Sequence, residues 1–315
     1  MILLMYSNLT PTPGHLARLG ALAGNRPVEV ATSEAEAIAL APGAKIILGH
    51  RYLRQALPFA DQVRWVQSTA AGMDQIITPE LRHRAPVLTR APVANRTIAL
   101  HALAMVLALV RRLTICGIRQ RQGNAAPGAD LLPMPRRALV LGLGEIGQAI
   151  ATLLRCLGIH VVGAARRPNP VKEQSCDQLL IGEAWRDHLG MTDLLVITLP
   201  LTDATHGLID TRVVTALPSH AIVVNVGRGA LLDWPALSAA LLSGRLGGLA
   251  VDAIDEIPDA YAPIRQAANF LLTPKIASRQ PGFQSDLETY VEAQVSRYLN
   301  HEPLLNIVEY LEPST

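Results

Sequence analysis

Lysine is scarce in this chain of 315 residues: it occupies Lys45, Lys172 and Lys275, while the other 25 of the 28 Lys and Arg residues are arginine. Arginine is thus the default cation, and each lysine asks for a property arginine lacks, above all titratability. The net charge is only +2, so there is no basic footprint for nucleic acid. Three cysteines (Cys116, Cys156, Cys176) are odd in number and show no CxxC spacing. That excludes a disulfide frame and a zinc site, and reads as reduced thiols in a cytoplasmic protein. No His/Cys/Asp cluster has metal-ligand spacing, so no metal is expected. The longest apolar run, "TIALHALAMVLALV" (97–110), is interrupted by His101 and ends at Arg111-Arg112. It falls short of the ~20 residues of a membrane span and is expected as a buried helix. "MILLMYSNLT" lacks a basic n-region and a long apolar stretch, so it reads as a first strand and not a signal peptide. Repeats and low-complexity tracts are absent.

Half of the residues are hydrophobic, and the length suits two domains of ordinary size. Short apolar runs, "ILLMYS", "VEVA", "KIILG", "RWVQS" and "PVLT", alternate with helical stretches over the first 90 or so residues. This is the pattern of a parallel sheet with covering helices. A long helix from about Thr97 and a Gly/Pro/Ala loop, "RQGNAAPGADLLPMP", follow. A second series then supplies six strand-like runs: "RALVLGLG", "HVVGAA", "DLLVITLP", "AIVVNVG", "GLAVDAI" and "FLLTP". Several are apolar throughout, as expected for a sheet buried on both faces. "DLETYVEAQVSRYLNHEPL" has helical periodicity.

In "ALVLGLGEIGQAIATLLRCLG", Gly142, Gly144 and Gly147 form G-x-G-x-x-G between a strand and a helix, which is the context a dinucleotide site needs. Gly142 permits the tight turn, Gly144 lets the backbone approach a pyrophosphate, and Gly147 lets helix and strand pack closely. The helix start then offers free N–H groups and a positive dipole end. Ile146, Ala149, Ile150, Leu153, Leu154 and Leu157 form the apolar stripe. An NAD site usually ends the next strand with an acidic residue for the ribose 2′-hydroxyl. Here Ala165 is followed by Arg166 and Arg167. Two guanidiniums suit a 2′-phosphate, which favours NADP(H) over NAD(H). The competing reading is a pair of solvated surface charges.

"LVITLPLTDATHGLID" (195–210), "AIVVNVGRGALLDWPALSAALLSGRLGGLAVDAID" (221–255), "VQSTAAGMDQI" (66–76) and "LLTPKIAS" follow in this chain. Together they resemble the D-2-hydroxyacid dehydrogenase family, which includes glyoxylate/hydroxypyruvate reductases and phosphoglycerate dehydrogenase. The resemblance covers nearly the whole chain. It implies an α/β fold of two Rossmann-like or flavodoxin-like domains with parallel sheets and a cleft between them. Residues 1–95 with 277–315 would form the substrate domain, and 96–276 the NAD(P)-binding domain. By the same resemblance, the amides of Ala71, Gly72 and Met73 bind the substrate carboxylate, Arg228 holds carboxylate and carbonyl, and Asp252 lies near the nicotinamide. Cofactor contacts are expected at Gly142, Gly144, Glu145, Ile146, Gly147, Leu199, Pro200, Thr205, Val226 and Gly227. The long helix at 97–113 would belong to a homodimer interface.

Two positions depart from the family. Its general acid/base is a His in "TPHIA", and this chain has Lys275 there. That His is normally paired with a Glu, and alignment on Asp252 and Pro258 puts Ile257 in its place, with Glu256 one residue early. In extended backbone a one-residue shift reverses a side chain's direction. A lysine titrates near 10.4 unperturbed, whereas proton exchange asks for roughly 7–8. Desolvation and a nearby cation both lower it, so losing the Glu, gaining Ile257 and keeping Arg228 are what an acid/base lysine requires. Lys275 as an anion anchor, and a site that has lost activity, are the alternatives.

The leading expectation is NADPH-dependent reduction of a small 2-keto acid, with Arg228 as clamp and Lys275 as proton donor. An unusual keto, imino or phosphonate substrate and a non-catalytic NADP(H)-binding homologue stand beside it. His50, after "KIILG", is a substrate-contact candidate. His101 is expected as a satisfied buried histidine.

Overall fold

A computed structural model describes residues 1–73, 76–123, 131–252 and 259–310. The chain forms two compact units, Met1–Ala94 with Gln280–Thr315, and Asn95–Arg279.

The first unit is a parallel five-stranded sheet: β1 (Ile2–Met5), β2 (Val28–Val30), β3 (Ile46–Gly49), β4 (Trp65–Gln67) and β5 (Val87–Thr89), ordered β2-β1-β3-β4-β5. Its connections hold α1 (Pro13–Ala23), α2 (Glu34–Leu40), α3 (Leu53–Ala56) and α4 (Pro79–Arg84). β1 and β3 are buried throughout, as strands covered on both faces must be. Proline at the first helical turn and side-chain caps from Thr12 and Thr78 start α1 and α4, because a missing N–H costs nothing there and a hydroxyl satisfies a free amide. Trp65 is fully buried. Its Nε1 donates to Thr89 Oγ1 at 2.8 Å, which donates to Gln67 Oε1 at 2.7 Å, so the polar end of the indole is satisfied inside the sheet.

The second unit opens with α5 (Asn95–Val110) and α6 (Leu113–Arg121). The long helix expected to run to 113 breaks at Arg112, whose φ is +54°. α5 buries Ile98, Ala99, Ala102, Met105, Val106, Leu109 and Val110, the i, i+3, i+4 spacing of one helical face. The sheet contains β6 (Arg137–Leu141), β7 (His160–Ala165), β8 (Gln178–Ile181), β9 (Leu194–Ile197), β10 (Ile222–Asn225), β11 (Gly248–Val251) and β12 (Phe270–Leu272). All neighbours pair in parallel in the order β12-β11-β10-β9-β6-β7-β8. The helices are α7 (Glu145–Cys156), α8 (Pro170–Ser175), α9 (Thr211–Ala216) and α10 (Trp234–Leu242). Seven strands replace the six read from the sequence. β8 is an edge strand with a single buried residue, Leu180, and its apolar run is only the three residues Leu179–Ile181. The stripe of α7 also differs in detail: Gly147, Ile150, Ala151 and Leu154 are buried, whereas Leu157 lies past the helix end and is exposed.

The last helix, α11 (Phe283–Leu299), belongs to the first unit, where it packs against α1. The segment after it bonds to the free edge of β5 through Val308 N–Leu88 O at 2.8 Å and Arg90 N–Asn306 O at 3.1 Å. That covers one edge that would otherwise be open to pairing with another chain.

Candidate active site

The strand order of the second unit reverses direction between β6 and β9, and ligands of open α/β sheets bind outside the carboxyl ends at such a point. Gly142 and Leu143 follow β6 there. Gly142 has φ +95°, which a side chain rarely tolerates. A Cβ on Gly147 would lie 2.0 Å from Gly142 O, so this glycine is required by close approach. A Cβ on Gly144 would meet no protein atom within 4 Å, so the turn is open on the side a pyrophosphate would take. α7 has no side chain capping its start at Gly144, which leaves its first-turn amides for an anion. Ile146 packs on the core of this unit, and Glu145 accepts from Asn95 Nδ2 at 2.6 Å. These features fit a dinucleotide cradle.

The neighbouring strand ends meet this turn. Thr198 Oγ1 donates to Gly142 O at 2.6 Å, a contact the sequence reading missed. Its only signal was a hydroxyl placed directly after a buried strand. Cβ atoms built on Gly142 and Gly227 would each press on Leu199, so the β6, β9 and β10 loops are brought together. Thr205 Oγ1 donates to Pro200 O at 2.7 Å and folds the loop after β9. Val226 N donates to Ile197 O at 3.1 Å. Asn225 shapes the next loop, accepting from Gly227 N at 2.9 Å and donating to Arg228 O at 2.8 Å. The half-buried Arg228 is thereby held in a fixed backbone frame. Arg166 and Arg167 are exposed beyond β7, and Lys172 Nζ donates to Arg167 O at 3.3 Å. Three cations therefore gather past that strand with no carboxylate between Arg166 and Lys172 in sequence.

Lys275 follows β12 with φ +53°, a region that costs a non-glycine residue of order 1–3 kcal/mol and persists only when its surroundings enforce it. The enforcing group is Asp252. Its carboxylate is buried and accepts from Thr273 Oγ1 at 2.7 Å, Ile276 N at 2.9 Å and Ala277 N at 3.0 Å. Lys275 N donates to Thr273 O at 2.9 Å, and the Lys275 side chain is exposed. Among the described residues of this unit none covers it, whereas desolvation is the expectation from sequence. Glu256 and Ile257, the other half of that argument, lie outside the described residues. His101 is satisfied as expected, with Nε2 3.0 Å from Thr273 Oγ1 and 3.8 Å from Asp252 Oδ1, but it is half-buried and not buried, which corrects that part of the expectation. The apolar helix around it hid that its face turns toward the β11 and β12 ends.

In the first unit, Ala71, Gly72 and Met73 follow β4. Among the described residues nothing accepts from their three amides, while Met73 O accepts from Ile76 N and Ile77 N at 3.0 Å each. His50 follows β3, with Nδ1 3.2 Å from Thr69 Oγ1 and 3.4 Å from Ser68 Oγ. Burial holds its pKa below the ordinary value. An open hollow of about 540 Å³ lies at the amino end of β7, beside Arg155, Cys156 and Asp177. It is at the wrong end of the strands for the glycine turn, and Arg155 and Asp177 neutralise each other at 3.0 Å.

Residues 103–277 match the family model described as D-isomer specific 2-hydroxyacid dehydrogenase, NAD binding domain. The chain is 27% identical over 247 residues to glyoxylate/hydroxypyruvate reductase A of Arabidopsis thaliana, covering 77% of each. It is 26% identical over 260 residues to hydroxyphenylpyruvate reductase of Plectranthus scutellarioides, covering 81% of this chain and 80% of that protein. Among solved structures, an acyclic imino acid reductase in complex with NADPH and D-arginine is similar with a TM-score of 0.80 at 18% identity, over 98% of this chain and 100% of that one. The glycine cradle, the matched domain and these relatives agree: the chain belongs to the D-isomer specific 2-hydroxyacid dehydrogenase family of NAD(P)-binding oxidoreductases that act on CH–OH groups.

Proposed function

We propose that this protein reduces a small 2-keto acid to the corresponding 2-hydroxy acid, with NADPH as the reductant. The observation that carries the proposal is the Asp252-held turn, which keeps an acid/base-capable Lys275 in a backbone conformation that costs energy. Bound NADPH would supply the hydride that goes to the carbonyl carbon. Arg228 grips the carboxylate and draws electron density onto the carbonyl oxygen. The Lys275 ammonium gives that oxygen its proton and leaves as the neutral amine. Hydride and proton together account for the two hydrogens of the alcohol. Lys275→Ala should lower kcat by about 10²–10⁴, the usual worth of general acid catalysis. Full turnover by that variant with its best substrate would end the assignment.

The preference for NADPH rests on Arg166, Arg167 and Lys172, with no acidic residue at the end of β7 where an NAD site usually has one. Arg166→Ala combined with Arg167→Ala should cut the NADPH-to-NADH ratio of kcat/KM by about 10²-fold, given roughly tenfold per charge-assisted contact. An unchanged ratio would return both arginines to the solvent. A homodimer through α5 and α6 is supported by exposed Leu100, Leu113 and Ile118, and the molar mass in solution tests it.

A second reading exchanges C=O for C=N. The similarity to an imino acid reductase supports it, as does a site without the histidine–glutamate pair. Turnover of a 2-keto acid only when methylamine is added would favour this reading. Tight NADPH binding with no turnover in either assay would favour a non-catalytic homologue.

A further inference from the structure

After Thr97, His101 is the one polar side chain in α5. Its neighbours along the helix, Ile98, Ala102 and Met105, are buried. A polar ring set beside such a face is costly unless it is hydrogen-bonded. Its partner, Thr273 Oγ1, lies 3.0 Å from Nε2. That hydroxyl already donates to Asp252 Oδ1 at 2.7 Å. A hydroxyl has one proton and two lone pairs, so the imidazole is the donor and Thr273 Oγ1 accepts. The neutral ring therefore carries its proton on Nε2. The result is a directed chain of hydrogen bonds from His101 through Thr273 to Asp252, and each bond in such a chain polarises the next.

The chain ends on the carboxylate that shapes the Lys275 turn. Asp252 Oδ1 also accepts from Ile276 N at 2.9 Å, and Oδ2 accepts from Ala277 N at 3.0 Å. Thr273 is tied in by its backbone as well: its N donates to Val251 O at 3.0 Å, and its O accepts from Lys275 N at 2.9 Å. The Thr273 hydroxyl is thus where α5 meets the ends of β11 and β12. Lys275, at φ +53°, sits between Thr273 on one side and the two amides bound to Asp252 on the other. A donor at position 101 keeps the hydroxyl proton aimed at Asp252. Without one, the hydroxyl is free to turn, and Oδ1 shares one donor fewer.

We propose that His101 is a positioning residue for the proton donor: its Nε2–H sets the Thr273 hydroxyl, which with Asp252 holds the turn that carries Lys275. The inference rests on the reading of Lys275 as the acid of a 2-keto acid reductase and adds a residue to it. His101 acts through Thr273 and Asp252, and not on the substrate.

The test compares the full-length wild type with His101→Leu, which removes the donor and suits a helix, and with His101→Gln, which keeps an N–H donor at similar reach. In His101→Leu, kcat should fall about three- to tenfold, the net worth of one hydrogen bond, with KM for NADPH and for the keto acid within about twofold. His101→Gln should recover most of that loss. In a Lys275→Ala background, His101→Leu should change the residual kcat by less than about twofold, because residues acting as a unit are not additive. An unchanged kcat in His101→Leu, no recovery in His101→Gln, or the same fold loss with and without Lys275 overturns the proposal. Amide hydrogen exchange without NADPH gives a readout that needs no turnover. Ile276 and Ala277 should exchange about three- to tenfold faster in His101→Leu than in wild type and His101→Gln. If the wild type reduces no keto acid, the reductase reading fails, and the exchange rates alone decide whether His101 holds the turn: equal rates in wild type and His101→Leu mean that it does not. Should His101→Leu fail to fold, Thr273→Val removes the relaying hydroxyl at nearly the same shape. It should reproduce the loss in kcat and the faster exchange, and wild-type values of both overturn the proposal.

Discussion

The two parallel sheets solve the same problem with different materials. Each presents loops at its carboxyl edge around a point of strand reversal. In the second unit the backbone makes the site: a turn at Gly142, a close approach at Gly147, and a helix start left uncapped. In the first unit side chains dominate: His50, Arg51 and Arg54 line a hollow in a loop after an ordinary strand, and carboxylates of α11 grip α1. A backbone site demands glycine at fixed positions, whereas a side-chain site accepts many sequences. The lesson is that spacing reports the first kind and hides the second.

The sharpest break in that comparison is at Gly147 and Gly144. Gly147→Ala forces a methyl against Gly142 O, where 2.0 Å is available, and backbone cannot yield as a side-chain tip does. The second unit should lose about 3 kcal/mol or more and the variant should fail to retain NADPH. Gly144→Ala meets no protein atom. Its melting temperature should stay within about 2 °C of wild type, as expected for a change of a few tenths of a kcal/mol, while NADPH affinity falls at least about tenfold, the 1.4 kcal/mol of one lost contact. Thermal melts with and without NADPH separate the two. If both glycines behave alike, the division between packing and ligand approach is wrong.

The same contrast explains what the sequence disclosed. Eleven of the twelve strands were visible, most of them as apolar runs, because the inner strands of a parallel sheet are buried on both faces; β2, Val-Glu-Val at an edge, is not buried. β8 was not visible: its run, Leu179–Ile181, is only three residues long and buries Leu180 alone. The dinucleotide turn was legible because three glycines have three separate steric reasons. The clamp on Lys275 was not. Asp252 does its work through hydrogen bonds to residues more than 20 positions away, and no local pattern marks that. The burial of His101 was misread for a related reason: seven of its helical neighbours are buried apolar groups, and the one polar face is defined only by where β12 ends.

Asp252 gives an intermediate effect. Asp252→Asn keeps the shape but replaces one acceptor oxygen with a donor, so the amides of Ile276 and Ala277 and the Thr273 hydroxyl cannot all be met. Asp252 is then a positioning residue for Lys275. The variant should lose about tenfold in kcat, with KM for the keto acid within about twofold. A loss confined to KM would instead place Asp252 in ground-state binding.

The smallest effect concerns the first unit, and its sign follows from two carboxylates on α11. Glu288 accepts from Thr12 N at 2.9 Å, Thr12 Oγ1 at 2.6 Å and Gln284 Nε2 at 3.0 Å. Glu292 accepts from His15 Nδ1 at 2.6 Å and Arg18 Nε at 2.8 Å. His15 also meets the Tyr6 hydroxyl at 2.7 Å, and burial pushes that phenol's pKa far up. Burial alone would raise both carboxyls, but hydrogen bonds from Arg18, His15, Thr12 and Gln284 outweigh it and hold them below the ordinary value. A carboxyl depressed in the folded state binds fewer protons there than in the unfolded chain. Its stabilisation is therefore complete above the ordinary range near 4.3 and fades as pH falls through the lower folded value. Protection factors for α1 and α11 amides should accordingly drop between about pH 5 and 3. Those of α7 should change less, because the two depressed carboxyls lie on α11 and grip α1, whereas the α7 carboxylate Glu145 accepts from the neutral Asn95 amide at 2.6 Å. Glu292→Gln removes one titrating group and should lessen the pH dependence of α1 while lowering its protection at pH 7. Equal loss in α1 and α7 would mean that acid acts on the whole chain and not on the side-chain-built unit.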